Sequence, residues 1–120
     1  MHQICHIELP ASDYDKVKQF YGEIFGWTFE LIEPMDYMIY RTPEGVGGGF
    51  DKNMKPATGS GPMIHLMVNN IDEVLPKIEK HGGKTVKPRT EISPDIGSYA
   101  VFNDCEGNQM ALYQPPSKQG

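Results

Sequence analysis

Two imidazoles and a carboxylate carry most of the chemistry this chain can offer: His6, Glu8 and His65. His6 and Glu8 stand two residues apart in an alternating stretch, so on a strand they share a face and lie roughly 6.7 Å apart. Glu8 and His65 are related by an internal period of about 57 residues and are expected to approach each other across a pseudo-two-fold. Three readings stand side by side. The residue types suit zinc, nickel or iron, although neighbours along one strand splay rather than converge. A carboxylate beside an imidazole is also what enolising a bound carbonyl compound requires, with Glu8 moving the proton. The third reading is structural: a Glu8–His65 hydrogen bond joining the two halves at the bottom of a cavity.

The elements that must position these residues can be read from period and punctuation. Residues 3–9 alternate, with Cys5, Ile7 and Leu9 on one face and Ile4, His6 and Glu8 on the other. Pro10 ends that strand, and Ser12 or Asp13 caps a helix. Val17, Phe20, Tyr21 and Ile24 recur at helical spacing until Gly26 stops the helix. Strands follow at 27–32, 37–41 and 46–50, separated by the turns Pro34-Met35-Asp36 and Pro43-Glu44-Gly45. The polar stretch 51–61 has no periodicity and reads as a linker.

The design then returns. A strand at 63–68 leads to Asn69 or Asn70, either of which can cap a helix carrying Ile71, Val74, Leu75 and Ile78. His81-Gly82-Gly83 closes it, and Pro76 inside it should bend or delay it. Strands at 85–88, 98–103 and 109–114 complete the set, with a longer loop at 91–97. Past that loop Tyr37 matches Tyr99, Glu44-Gly45 matches Glu106-Gly107, and Gly49 matches Ala111. The expected fold is α+β: one domain over 1–120, made of a βαβββ unit at about 3–50, a linker at 51–61 and a second unit at about 62–114. The two units would form a curved, mostly antiparallel sheet around a cavity, with the helices outside. Neither half could bury its own sheet face alone.

Composition narrows the partners. Eleven basic against sixteen acidic residues give a formal net charge of -5, which argues against a nucleic-acid backbone as ligand. No apolar run is long enough to span a membrane, and the first residues lack the pattern of a secretory signal. Cys5 and Cys105 read as two reduced, buried thiols, so a cytoplasmic location is expected. Of the seven methionines, Met38, Met63, Met67 and Met110 fall in strands, where they fill gaps or line adaptable pockets. Gly47-Gly48-Gly49 is followed by no helix and accompanied by no suitably spaced lysine, so it is not a phosphate cradle. It reads instead as a strand where backbone comes close to a ligand or bends, and where missing side chains widen the cavity.

His-x-Glu-Leu-Pro at 6–10, Phe-Gly-Trp at 25–27, Gly47-Gly48-Gly49-Phe50 and Glu106-Gly107-Asn108 with Leu112-Tyr113 together resemble the vicinal oxygen chelate superfamily. That group contains glyoxalase I, the bleomycin- and fosfomycin-resistance proteins and the extradiol dioxygenases. The resemblance spans about residues 4–115 and speaks to fold more than to reaction. In metal-using members it implies ligands on the first and fourth strands of each unit, here His6, Gly49, Met63 and Ala111. Only His6 is a competent ligand among these.

The resemblance therefore implies a binder of a small, partly apolar molecule, without cofactor or metal. His6, Glu8, Gly49, Met63, His65, Ala111 and Tyr113 would line its site. The rival implication is a glyoxalase-type lyase or isomerase in which His6, Glu8 and His65 hold zinc, nickel or iron and Glu8 is catalytic. An extradiol-type dioxygenase fits less well, because its carboxylate position is Ala111. Family members commonly pair units between chains, so a homodimer is expected, with a second subunit completing the cavity. Whether Tyr37 and Tyr99 belong to core or rim is undecided by strand parity.

Overall fold

The computed structural model describes residues 1–117. The first unit comprises β1 (Ile7–Pro10), α1 (Tyr14–Phe25), β2 (Thr28–Ile32), β3 (Tyr37–Arg41) and β4 (Gly48–Asp51). The second comprises β5 (His65–Met67), α2 (Ile71–Lys80), β6 (Lys84–Ser93), β7 (Gly97–Asn103) and β8 (Gln109–Gln114). The α+β class and the repeated βαβββ order are those the sequence predicts. The eight strands are divided between two four-stranded sheets, β1-β4-β3-β2 and β5-β8-β7-β6, rather than joined in one. In each sheet the outer strand of the unit's start runs parallel to its last strand, and the other pairs are antiparallel.

Capping chemistry sets the helices. Asp13, not Ser12, accepts the Lys16 N–H at 3.2 Å, and Gly26 ends α1 in the left-handed region at φ 71°. Asn70, not Asn69, accepts from the Glu73 N–H at 3.2 Å and caps α2. Pro76 does not delay α2, which starts at Ile71 and runs past it to Lys80. Without an N–H there, one helical bond is forgone.

Several strand limits differ from the alternation pattern. β1 starts at Ile7, which leaves His6 just before it, and β5 is three residues long. Residues 91–97 are not a long loop, because β6 continues to Ser93 and turns tightly into β7 at Gly97, φ 109°. β6 is an outer strand with three register shifts, and Pro88, which has no N–H to give, sits within the one between Lys87 and Thr90.

Buried residues of both units belong to one apolar cluster. Phe20 and Tyr21 of α1 are fully buried, Phe20 stacking near Phe102 of β7 and Tyr21 near Trp27 and Phe50. A buried polar clasp crosses the same boundary. Asp104 Oδ2 accepts from the Tyr21 hydroxyl at 2.6 Å and from Asn108 Nδ2 at 3.0 Å, and Oδ1 accepts from the Glu106 and Asn108 N–H groups. Asn108 also donates to the Pro10 carbonyl at 2.8 Å and accepts from the Ala57 N–H. Glu106 accepts from the Ser12 N–H and hydroxyl and from the Asp13 N–H, fixing the corner between β1 and α1. The Glu106-Gly107-Asn108 motif thus ties the second unit to the segment that carries His6 and Glu8.

Candidate functional site

Leu9, Met38, Tyr40 and Phe50 turn into the core, so Glu8, Ile39 and Gly49 lie on the opposite, open face of the first sheet. Glu8 is registered with Gly49, Gly49 with Ile39, and Ile39 with Glu30. Tyr37, left undecided by strand parity, supplies the centre of this face. Its hydroxyl donates to Glu8 Oε2 at 2.9 Å and lies 2.7 Å from His6 Nε2. The His6 and Tyr37 rings are nearly parallel, 16° apart, with centroids separated by 6.2 Å. Burial, then the hydrogen bond to Glu8 and that residue's charge, push the Tyr37 phenol well above its ordinary value, so it stays protonated.

The three glycines permit this arrangement. A Cβ on Gly49 would fall against Cζ and the hydroxyl of Tyr37, and one on Gly48 would run into the Ile7 carbonyl of β1. A Cβ on Gly47 would lie 2.6 Å from the Tyr40 carbonyl. The glycines therefore bring backbone close to backbone and make room for the Tyr37 ring, and the expected widening at Gly49 does not occur. A glycine covered by an aromatic ring two residues along the neighbouring strand is a recognisable sheet device. That pairing is the signal by which Tyr37 could have been found.

The second sheet carries the equivalent group. His65 is registered with Ala111, Met67 with Tyr113, and Tyr113 with Tyr99. His65 is exposed and its Nδ1 lies 3.2 Å from the Met63 carbonyl. The Tyr113 hydroxyl is taken up by the Ile96 carbonyl at 2.6 Å, and Tyr99 accepts from Lys87 at 2.5 Å. The expected Glu8–His65 hydrogen bond is absent. Each partner bonds within its own unit, because β1 and β5 border separate sheets.

Nor do the expected lining residues enclose one cavity. A cleft of about 960 Å³ runs between β1 and β5 on the core side. Ile7, Leu9, Trp27, Tyr40, Leu66 and Val68 are among its walls, and His65 is the sole expected site residue there. His6, Glu8 and Gly49 are brought together around Tyr37. His65, Ala111 and Tyr113 share the other sheet, with Met63 just before it. Cys5 is exposed rather than buried, and Cys105 is half-buried; both are free thiols. Burial, with the neighbouring Asp104 and Glu106 charges, pushes the Cys105 thiol up to about 12.

The metal positions implied by the resemblance can be tested on these residues. Gly49 and Ala111 have no donor, and the space into which a side chain at 49 would grow belongs to Tyr37. His6 Nε2 is engaged by the same hydroxyl. His65 belongs to a different sheet from the pair His6 and Glu8. Among the described residues no three His, Cys, Asp or Glu side chains converge as a metal site would require. Within one chain the residues present do not fit the group.

Residues 3–112 match the model of the Glyoxalase/Bleomycin resistance protein/Dioxygenase superfamily, and the chain belongs to that family. A glyoxylase-like domain-containing protein of Didymella fabae is 26% identical over 97% of this chain and 96% of its own. A putative glyoxylase, CFP32, of Mycobacterium tuberculosis is 27% identical over 90% of this chain, which spans 44% of that relative. Among solved structures, the hypothetical protein SA1046 of S. aureus superposes with a TM-score of 0.73 at 20% identity, covering 95% of both chains. The E126Q mutant of the fosfomycin resistance protein FosX from Listeria monocytogenes, complexed with Mn(II) and a dihydroxypropylphosphonic acid, superposes with a TM-score of 0.74. Its identity is 18%, and the match covers 96% of this chain and 91% of that one. These likenesses establish the fold.

Proposed function

We propose that the protein binds a small, partly apolar molecule on the open face of the first sheet, using His6, Tyr37 and Glu8 and no metal. The observation that carries this reading is the place of Tyr37. Its hydroxyl stands where a ligand side chain at 49 would grow, and it bonds both remaining polar groups of the site. A few polar anchors beside an apolar floor, here Gly49 and Ile39, are the usual make-up of a small-molecule site.

The working form is a homodimer. β1 and β5 are unpaired on their outer sides, the face around Glu8 is uncovered, and the radius of gyration is 14.7 Å. A compact chain of this length would have about 13.6 Å. In the dimer the face carrying His65, Met63, Ala111 and Tyr113 closes over His6 and Glu8 of the other copy, so all the expected lining residues meet in one cavity. Light scattering behind gel filtration should return twice the chain mass; a monomer at micromolar concentration would refute the dimer.

The rival reading, a glyoxalase-type enzyme acting on a carbonyl compound, draws on the names of the relatives from Didymella and Mycobacterium. Metal content after purification without chelator, then melting scans with zinc, nickel, cobalt and iron(II), separates the two. The metal-free reading expects no bound metal and no shift. Near-stoichiometric metal whose stabilisation disappears in His6→Ala would refute it and favour the enzyme.

A further inference from the structure

The hydrogen atoms of the His6, Tyr37 and Glu8 group can be assigned one by one. The phenol has a single proton, and a carboxylate has none to give, so the proton of Tyr37 points to Glu8 Oε2 at 2.9 Å. The 2.7 Å contact to His6 must then run the other way, from Nε2–H to the phenol oxygen. This places a hydrogen on His6 Nε2, and in the neutral ring leaves Nδ1 without one. Every proton of the group is spent inside it, and the atoms left over, Glu8 Oε1 and His6 Nδ1, are acceptors.

No cation offsets Glu8 among the described residues. The ion pairs there join Arg41 to Glu30, Lys52 to Asp36 and Arg89 to Asp72. Arg41, on the same open face, is committed to Glu30 at 3.1 Å. The backbone N–H groups of β3 and β4 around this spot face their neighbouring strands. Within one copy an oxyanion or a carbonyl oxygen would therefore find no donor here. A group that brings its own N–H bonds and positive charge would find a carboxylate oxygen, an imidazole nitrogen and, beside them, the apolar floor of Gly49 and Ile39.

We propose that the His6, Tyr37 and Glu8 group is the subsite for a cationic, hydrogen-bond-donating head, an ammonium, amidinium or guanidinium, on an otherwise apolar ligand. This rests on the reading of the open face as the binding site and goes further by naming the charge and polarity of what it takes. Tyr37 acts as a positioning residue: it holds Glu8 and His6 in register and consumes the one proton that would otherwise suit an oxygen ligand.

Three probes of similar size test the assignment on the 15N-labelled full chain: benzamidine, benzyl alcohol and benzoate, titrated by heteronuclear NMR. Benzamidine should shift the amides of Glu8, Tyr37 and Ile39 and bind about tenfold or more tightly than benzoate, the scale of one charge-assisted pair. Glu8→Gln, an exposed isosteric change, should remove that preference. Glu30→Gln, an equally exposed change on the same sheet, should leave benzamidine binding intact. Benzoate binding at Glu8 and Tyr37 as tightly as benzamidine would overturn the assignment, as would benzamidine binding indifferent to Glu8→Gln. If benzyl alcohol or benzoate shifts this face and benzamidine does not, the binding face stands and only the charge assignment falls. If none of the three shifts it, both fall.

Discussion

Replacing Tyr21 by Phe removes one oxygen from the middle of the molecule and tests the clasp that joins the two units. The Tyr21 hydroxyl, fully buried, donates to Asp104 Oδ2 at 2.6 Å, and the Met110 sulfur lies 2.9 Å from the Tyr21 hydroxyl oxygen. Asp104 is itself buried and accepts three more bonds from Glu106 and Asn108. Four donors are aimed at its two oxygens, which favours the charged form against the burial that opposes it. A hydrogen bond to a charged group contributes about 1.5–3 kcal/mol. An unfolding entropy of about 2.1 cal/mol/K per residue converts this to a fall in Tm of about 6–12 °C for a chain of this length.

The effect should depend on pH. Burial raises the folded pKa of Asp104 above the ordinary carboxylate value of 3.8, while the bond from Tyr21 lowers it. Between the unfolded and folded values the folded chain binds more protons, so this group's contribution to stability falls as pH rises through that window. Tyr21→Phe raises the folded value further and enlarges the deficit at neutral pH. Below the unfolded value Asp104 is protonated in both states, and the variant loses only a neutral bond, about 1 kcal/mol. Urea unfolding at pH 7.5 and pH 3.5, monitored by far-ultraviolet circular dichroism, measures both. A loss at pH 7.5 no larger than that at pH 3.5 would refute the charged clasp.

Gly49→Ala places a methyl group against Cζ and the hydroxyl of Tyr37, which must swing away and release His6 and Glu8. Because the obstacle is the far end of one side chain, folding should survive with a loss of about 1–3 kcal/mol, and benzamidine shifts at Glu8 should vanish; retention of both would place the phenol elsewhere. Iodoacetamide at pH 8 should modify exposed Cys5 and spare Cys105, whose thiol burial pushes up to about 12, until denaturant is added. Equal labelling of both in the native state, followed by mass spectrometry of the peptides, would contradict that burial.

Local pattern was enough for the order of elements. The two capped helices, the glycine stops and the alternation that sets Leu9 against Glu8 follow from side-chain period and backbone preference, which act over a few residues. The repeat carried the fold class as well, because a βαβββ unit cannot bury both its helix and its sheet without a second. Strand lengths were less legible: β6 extends past Pro88, which sits at a register shift of a border strand, where proline is tolerated. The equivalence of Glu8 and His65 is present in the sequence and kept in the registers with Gly49 and Ala111. Their separation is not, since it depends on which strands lie at the sheet borders. The role of Tyr37 needed three dimensions for the same reason. Its hydroxyl meets Glu8 and His6 across strands β3, β4 and β1, which are joined only when the sheet forms. Sequence by itself determined which residues could do chemistry; the sheet order and one aromatic ring over a glycine decided which of them stand together.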